Sequence, residues 1–182
     1  MQIKKLAFNL LLLLLIPFTL FSQQKVTAPK SGDTAPIFFL KTYDDEDFYL
    51  RDWCGKLRQP WKQKTKHHII LSFFASWCEP CMKEIPILEK ISKAYQKQNL
   101  KVYLVNLKEE NATVKNLLTK IDISIPILMD RYGVVADKYG VQSIPKLILI
   151  DKEGKVRFIH DGYSVDLEKK LNDEISRLLR KS

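Results

Sequence analysis

The stretch Ile69-Ile70-Leu71-Ser72-Phe73-Phe74-Ala75-Ser76-Trp77-Cys78-Glu79-Pro80-Cys81 decides how this chain folds. Ile69 to Ala75 is an almost unbroken apolar run of strand length, the pattern of a strand buried on both faces. Beyond Cys81 the period changes, and Ile85, Leu88, Ile91 and Tyr95 recur at helical spacing. A strand therefore gives way to a helix within Trp77 to Cys81. Cys78 falls near the helix N-cap, Cys81 falls in the first turn, and Pro80 between them suits a helix start. The free backbone N–H groups and the positive end of the helix dipole favour a thiolate at that point. Cysteines so placed have pKa values of roughly 3.5 to 7.5, against about 8.5 for a free cysteine. Two thiols at this spacing make a dithiol that can cycle with a disulfide.

The same spacing could be half of a zinc site, which needs two further ligands. The candidates are Cys54, His67, His68 and His160, and none forms a second C-x-x-C or an H-x-x-x-H pair. The strand–motif–helix context favours redox chemistry, and no metal is assigned.

The N-terminus bears on where that chemistry occurs. Lys4 and Lys5 precede an apolar segment, Leu6 to Phe21, that holds Leu10 to Leu15 and is broken by Pro17. Ser22 supplies a small residue near a cleavage point. This is the pattern of a secretory signal peptide over residues 1–22. The apolar segment is shorter than the roughly 20 residues of a spanning helix, and an uncleaved N-terminal anchor is the alternative. Either places the rest of the chain outside the cytosol, where disulfides persist. With 182 residues, one domain is expected, large enough to bury a core without structural disulfides. Three cysteines are too few for a disulfide scaffold, and a pair formed by Cys78 and Cys81 leaves Cys54 as a half-buried, unpaired thiol.

The formal net charge is +9, and about +7 without Lys4 and Lys5. Much of it lies in Lys56, Arg58, Lys62, Lys64 and Lys66, interleaved with Trp61. Such a run is ordinarily a solvated surface loop. Export removes nucleic acid as a partner and leaves an anionic membrane surface or an acidic partner as the charged alternatives.

Residues 23–34 read as a linker and 35–182 as the folded domain. Ile37 to Leu40 and Phe48 to Leu50 flank the acidic turn Tyr43 to Asp47 as a candidate hairpin. His67 to Ala75 is the central strand, followed by a helix to about Gln98. Lys101 to Leu107 is a strand, Ala112 to Ile121 a short helix, Ile125 to Met129 a strand and Tyr132 to Tyr139 a helical turn or two. Lys146 to Ile150 and Lys155 to Ile159 flank Asp151-Lys152-Glu153-Gly154, a strong hairpin signal. Val165 to Leu179 is an amphipathic final helix.

This order, with C-x-x-C at the first strand–helix junction, resembles the thioredoxin superfamily over roughly residues 35–181. The matching features are F-F-A-S-W-C-E-P-C, K-E-x-P at Lys83 to Pro86, Y-G-V-x-x-I-P at Tyr139 to Pro145, and the terminal hairpin and helix. The extra unit at 108–130, together with the exported N-terminus, is similar to the TlpA/ResA-like branch of extracytoplasmic thiol–disulfide oxidoreductases. The resemblance implies an α/β, thioredoxin-like fold: a central mixed β-sheet flanked by helices, with an N-terminal β-hairpin and an inserted helix–strand unit. It also implies reduction of protein disulfides, with apocytochrome c as one client, a membrane thiol carrier as electron donor, a monomer, and a periplasmic location. The dithiol is itself the redox centre, so no cofactor is implied.

Cys78 is the candidate nucleophile, expected to be the more exposed thiol, and Cys81 the resolving thiol. Glu84 lies three residues after Cys81 on the same helix face, where a carboxyl can exchange a proton with that thiol. The resemblance places an active-site glutamate there, and Ser72 stands where thioredoxin carries a buried aspartate. The alternative for Glu84 is an exposed helical residue such as Glu89. Trp77, Glu79, Pro80, Ile144 and Pro145 are the candidate substrate-contacting residues. The resemblance makes Pro145 a cis-proline whose neighbour Ile144 meets an extended peptide. Pro86 is expected to kink the helix. Peroxide reduction would need a peroxidatic cysteine beside an arginine, and a metallochaperone would want a C-x-x-x-C spacing.

Overall fold

The computed structural model describes residues 27–60 and 65–180, so the signal segment 1–22, the start of the linker and Trp61, Lys62 and Lys64 lie outside the described residues. The expected mixed sheet is present. Its strands are β1 (Phe39–Thr42), β2 (Asp47–Tyr49), β3 (His68–Phe74), β4 (Leu100–Leu107), β5 (Ile127–Asp130), β6 (Lys146–Ile150) and β7 (Val156–Asp161). Their order in space is β2-β1-β5-β4-β3-β6-β7. The pairs β3/β4 and β4/β5 are parallel and the others antiparallel. The helices are α1 (Glu79–Tyr95), α2 (Asn111–Leu118), α3 (Val134–Lys138) and α4 (Leu167–Arg180).

All seven residues of β3 are buried. A strand covered on both faces has no use for polar alternation, and the sequence there is accordingly apolar. The side chains still alternate. Ile70 and Phe74 join a cluster with Cys78, Cys81, Ile85, Leu88 and Ile91 and with Leu167, Leu171 and Ile175 of α4. Ile69, Leu71 and Phe73 join Phe38, Phe48, Val135 and Tyr139 behind the sheet. Ser72 shares the parity of Ile70 and Phe74, so it faces α1.

The inserted unit is α2 with β5, and β5 slots between β4 and the N-terminal hairpin. That pairing explains why the first strand is Phe39–Thr42 rather than Ile37 to Leu40. Lys41 and Thr42 pair with Met129 and Leu128, so the β5 ladder, not local hydropathy, sets the strand's end. The helix runs through Pro86 to Tyr95 as one element. The later part of the expected linker lies on the domain. Gly32 N–H donates to Val156 O at 2.8 Å, Val156 N–H donates to Asp33 O at 2.9 Å, and Thr34 bridges Lys155. These bonds satisfy backbone groups at the open edge of β7. Gly140, at φ +62, lets Ala28 approach so closely that an added Cβ would lie 2.2 Å from the Ala28 Cβ. Among the described residues no helix is long and apolar enough to cross a membrane.

Leu88 is fully buried between α1 and the sheet. Leu88→Ala is expected to lower unfolding stability by about 2–5 kcal/mol, read from urea denaturation of the oxidised protein with an unchanged slope.

Candidate active site

Cys78 and Cys81 form a disulfide with their Cα atoms 5.3 Å apart. Cys78 is the N-cap of α1, with extended backbone (φ −84, ψ 95), and its Sγ accepts the Cys81 backbone N–H at 3.2 Å. The sulfur thus occupies the position where a capping oxygen meets the free amides of a first turn. The sequence predicts Cys78 to be the more exposed of the two thiols. In the oxidised pair the order holds, at 3% against 1% for Cys81, but both residues are packed into the cluster under α1. Exposure belongs to Trp77 beside them, at 75%. Glu79 is exposed and pairs with Lys83 Nζ at 2.8 Å. That hydrogen bond and charge hold the Glu79 carboxyl below its usual range. Pro80 is exposed in the first turn.

The register of β6 places the proline loop. Lys146 pairs with Phe73, so Pro145 reaches the end of β3 from which the dithiol loop departs. The Ile144–Pro145 bond is cis, Ile144 is half-buried, and Pro145 O accepts the Gly162 N–H at 2.8 Å. Lys146 is buried at this end and pairs with Asp161 Oδ1 at 2.7 Å.

Glu84 is not an exposed helical residue. It is 1% exposed, and its Oε1 accepts the Ser72 hydroxyl at 2.6 Å. Its second oxygen is buried without a partner. Burial pushes the carboxyl up to about 7, against the opposing effect of the Ser72 bond. In the oxidised protein the direct hydrogen-bond partner of Glu84 is therefore Ser72 on β3. Glu89, the expected example of an exposed glutamate, instead accepts the Ser124 and Ile125 amides at 2.7 and 3.0 Å. It ties α1 to the inserted unit.

A second carboxylate, which the sequence reading missed, sits at the dithiol loop. Glu109 accepts the Ser76 backbone N–H at 2.8 Å, the Ser76 hydroxyl at 2.6 Å and the Asn106 side-chain amide at 2.6 Å. The parallel pairing of Phe74 with Asn106 brings these loops together. The only hint in the sequence is an acidic pair, Glu109-Glu110, straight after a strand.

The remaining expectations fall away from the site. Cys54 is buried, not half-buried, at 2% exposure. Its thiol is pushed up to about 12, chiefly by desolvation. It packs behind the sheet with Leu50 and Val156. Arg58 pairs with buried Asp52 at 2.9 Å and lies 3.6 Å over the Tyr49 ring, and Lys66 pairs with Glu153 at 2.8 Å. These pairings engage two residues of the basic loop, Arg58 against a buried carboxylate and Lys66 at the surface. His68 is buried, His67 lies against Trp53, and His160 meets Ser164. Among the described residues no three acidic, histidine or cysteine side chains are grouped to hold a metal.

Comparison with known proteins supplies the family. Residues 31–159 match the AhpC/TSA family. Thiol-disulfide oxidoreductase ResA of Geobacillus thermodenitrificans is 33% identical over 155 residues, spanning 84% of this chain and 83% of the relative. Thioredoxin-like protein YneN of Bacillus subtilis is 32% identical over 181 residues, 94% and 99% of the two chains. A solved structure from Chlorobium tepidum, provisionally assigned as thiol:disulfide interchange protein DsbE, superposes with a TM-score of 0.73. It is 27% identical and covers 84% of this chain and 99% of its own. The chain belongs to the AhpC/TSA family, among its ResA-like, thioredoxin-fold thiol–disulfide oxidoreductases, enzymes whose exchange partners are proteins.

The elevated carboxyl of Glu84 has a sign for stability. The folded chain keeps a proton up to about pH 7, whereas an unfolded glutamate releases it near about 4.3. Stability of the oxidised protein should therefore fall by a few kcal/mol as pH rises through that window. Glu84→Gln should remove most of this slope, as read from urea unfolding at pH 5 and pH 8.

Proposed function

We propose that this oxidoreductase works as a reductase of disulfides in extracytoplasmic proteins. The observation that carries this reading is the Cys78–Cys81 disulfide capping α1 above a buried, near-neutral carboxyl. In the reduced enzyme the Cys78 thiolate attacks one sulfur of a client disulfide. A mixed disulfide forms, and the client's other sulfur leaves as a thiolate that takes up a proton. Cys81 then gives up its proton, with Glu84 as the nearby acceptor, and attacks the Cys78 sulfur. The second client thiol departs, and the enzyme retains the disulfide. Two electrons pass to the client, and the enzyme dithiol is oxidised. Trp77, Glu79, Pro80 and Ile144 meet the client, with the Ile144 backbone offered to an extended peptide and Pro145, buried behind it, setting that backbone's course.

Residues 1–22 direct export or anchor the chain, which places a monomeric domain on the periplasmic side. A membrane thiol carrier re-reduces it, and apocytochrome c is one client in reach of that location. Peroxide reduction finds no support at Cys54, the one cysteine outside the pair. Desolvation holds that thiol protonated, and it points its S–H toward the Leu50 carbonyl at 3.8 Å.

Cys81→Ser should trap clients as mixed disulfides on Cys78 that collapse on adding dithiothreitol. Recovery of no adducts from the extracytoplasmic fraction, or of adducts on Cys54, would remove this assignment. Equilibration of the wild-type couple against dithiothreitol should place its potential in the lower half of the roughly −270 to −120 mV range. A value at the oxidising end would reverse the direction proposed here.

A further inference from the structure

We infer that Glu109 is a positioning residue for the dithiol loop: its carboxylate holds Ser76 so that Cys78 stays on the N-terminus of α1. Ser76 is half-buried, two residues before Cys78, and it meets Glu109 through both its backbone N–H and its hydroxyl, at 2.8 and 2.6 Å. The third donor, Asn106, is 1% exposed and belongs to β4, so the carboxylate is fixed from below by the sheet itself. Hydrogen bonds to an ionised acceptor are roughly twice as strong as neutral ones.

The loop that carries Glu109 is itself held. Lys108 takes a left-handed backbone conformation at φ 54, uncommon outside glycine. Its N–H donates to Asp130 O at 3.1 Å, and Glu110 pairs with Arg131 at 3.1 Å. A rigid acceptor of this kind restrains whatever it binds. What it binds is the turn between β3 and α1, whose own local bond is Cys78 N–H to Ala75 O at 3.0 Å and whose Trp77 side chain is exposed. Glu109 touches neither sulfur in this arrangement. It acts through Ser76.

This rests on Cys78 being the attacking thiol, and the experiment separates the two claims. The reduced wild type, Ser76→Ala, Glu109→Ala, Glu109→Gln and the double alanine variant are alkylated at limiting reagent, with labelled cysteines mapped by mass and folding checked by circular dichroism. Loss of an anion near a thiolate would, by electrostatics alone, lower the thiol pKa and speed labelling. Loss of the restraint does the reverse. Glu109→Ala should slow Cys78 labelling by roughly three- to tenfold, the scale of one typical net hydrogen bond, and raise the pH midpoint. Ser76→Ala, which keeps the charge, should slow it less. The double variant should be no slower than Glu109→Ala, because both substitutions break one connection. Glu109→Gln, which keeps one acceptor oxygen, should recover part of the rate. Cys78 labelling that is unchanged or faster in Glu109→Ala, or effects of the two substitutions that simply multiply, overturns the positioning role and leaves the nucleophile assignment intact. Dominant labelling of Cys81 or Cys54 in the wild type overturns both.

Discussion

The working end of this molecule depends on the burial of one strand. Because β3 is covered on both faces, its direction and parity are set by the core, and every loop that leaves its C-terminal end inherits that placement. The parallel neighbour β4 delivers Asn106 and Glu109 to the same level. The antiparallel neighbour β6 delivers Pro145. The Cys78–Cys81 loop at this point is flanked by two further segments, neither of which needs sequence proximity to the other.

The electrostatics at that end oppose one another. The first-turn amides of α1 favour a thiolate on Cys78, while Glu79, Glu84 and Glu109 bring acidic groups nearby. The structure neutralises each acid differently. Glu79 is paired with Lys83 in solvent, where an ion pair contributes little. Glu84 is desolvated and holds its proton toward neutrality. Glu109 is occupied by three uncharged donors. Burial thus brings the Glu84 carboxyl into the range where a proton can be exchanged near pH 7. Ser72, which donates to Glu84, limits that rise without cancelling it. A carboxylate on the strand at that position would compete for the same proton, whereas the Ser72 hydroxyl can only donate to the carboxyl already there.

The fold was legible wherever the period was long. The run into Cys78, the spacing of Ile85 to Ile91 and the Asp151 to Gly154 turn all reappear as β3, α1 and the β6–β7 hairpin. Short elements shifted by a residue or two, because strand pairing sets their ends. Among site residues, Cys78, Cys81 and Glu84 could be found because a helix relates them by spacing. Glu109 could not, since its relation to Ser76 spans 33 positions and exists only through strand pairing. Glu89 and Cys54 were misjudged for a similar reason. Their partners, Ser124 for one and the packing behind the sheet for the other, come from segments that no local pattern connects to them.

The cover over the oxidised pair has a kinetic meaning. A reduction potential says only whether electron transfer is downhill. It does not say which thiols can deliver the electrons. With both cysteines almost wholly enclosed, a thiol tumbling freely in solution meets mostly side chains, and one presented on a shaped macromolecular surface can be steered toward the sulfurs. Such a barrier slows exchange with small thiols and leaves the potential unchanged. The pair is insulated by access rather than by energy, and the choice of who opens it passes to whichever partner carries the matching shape.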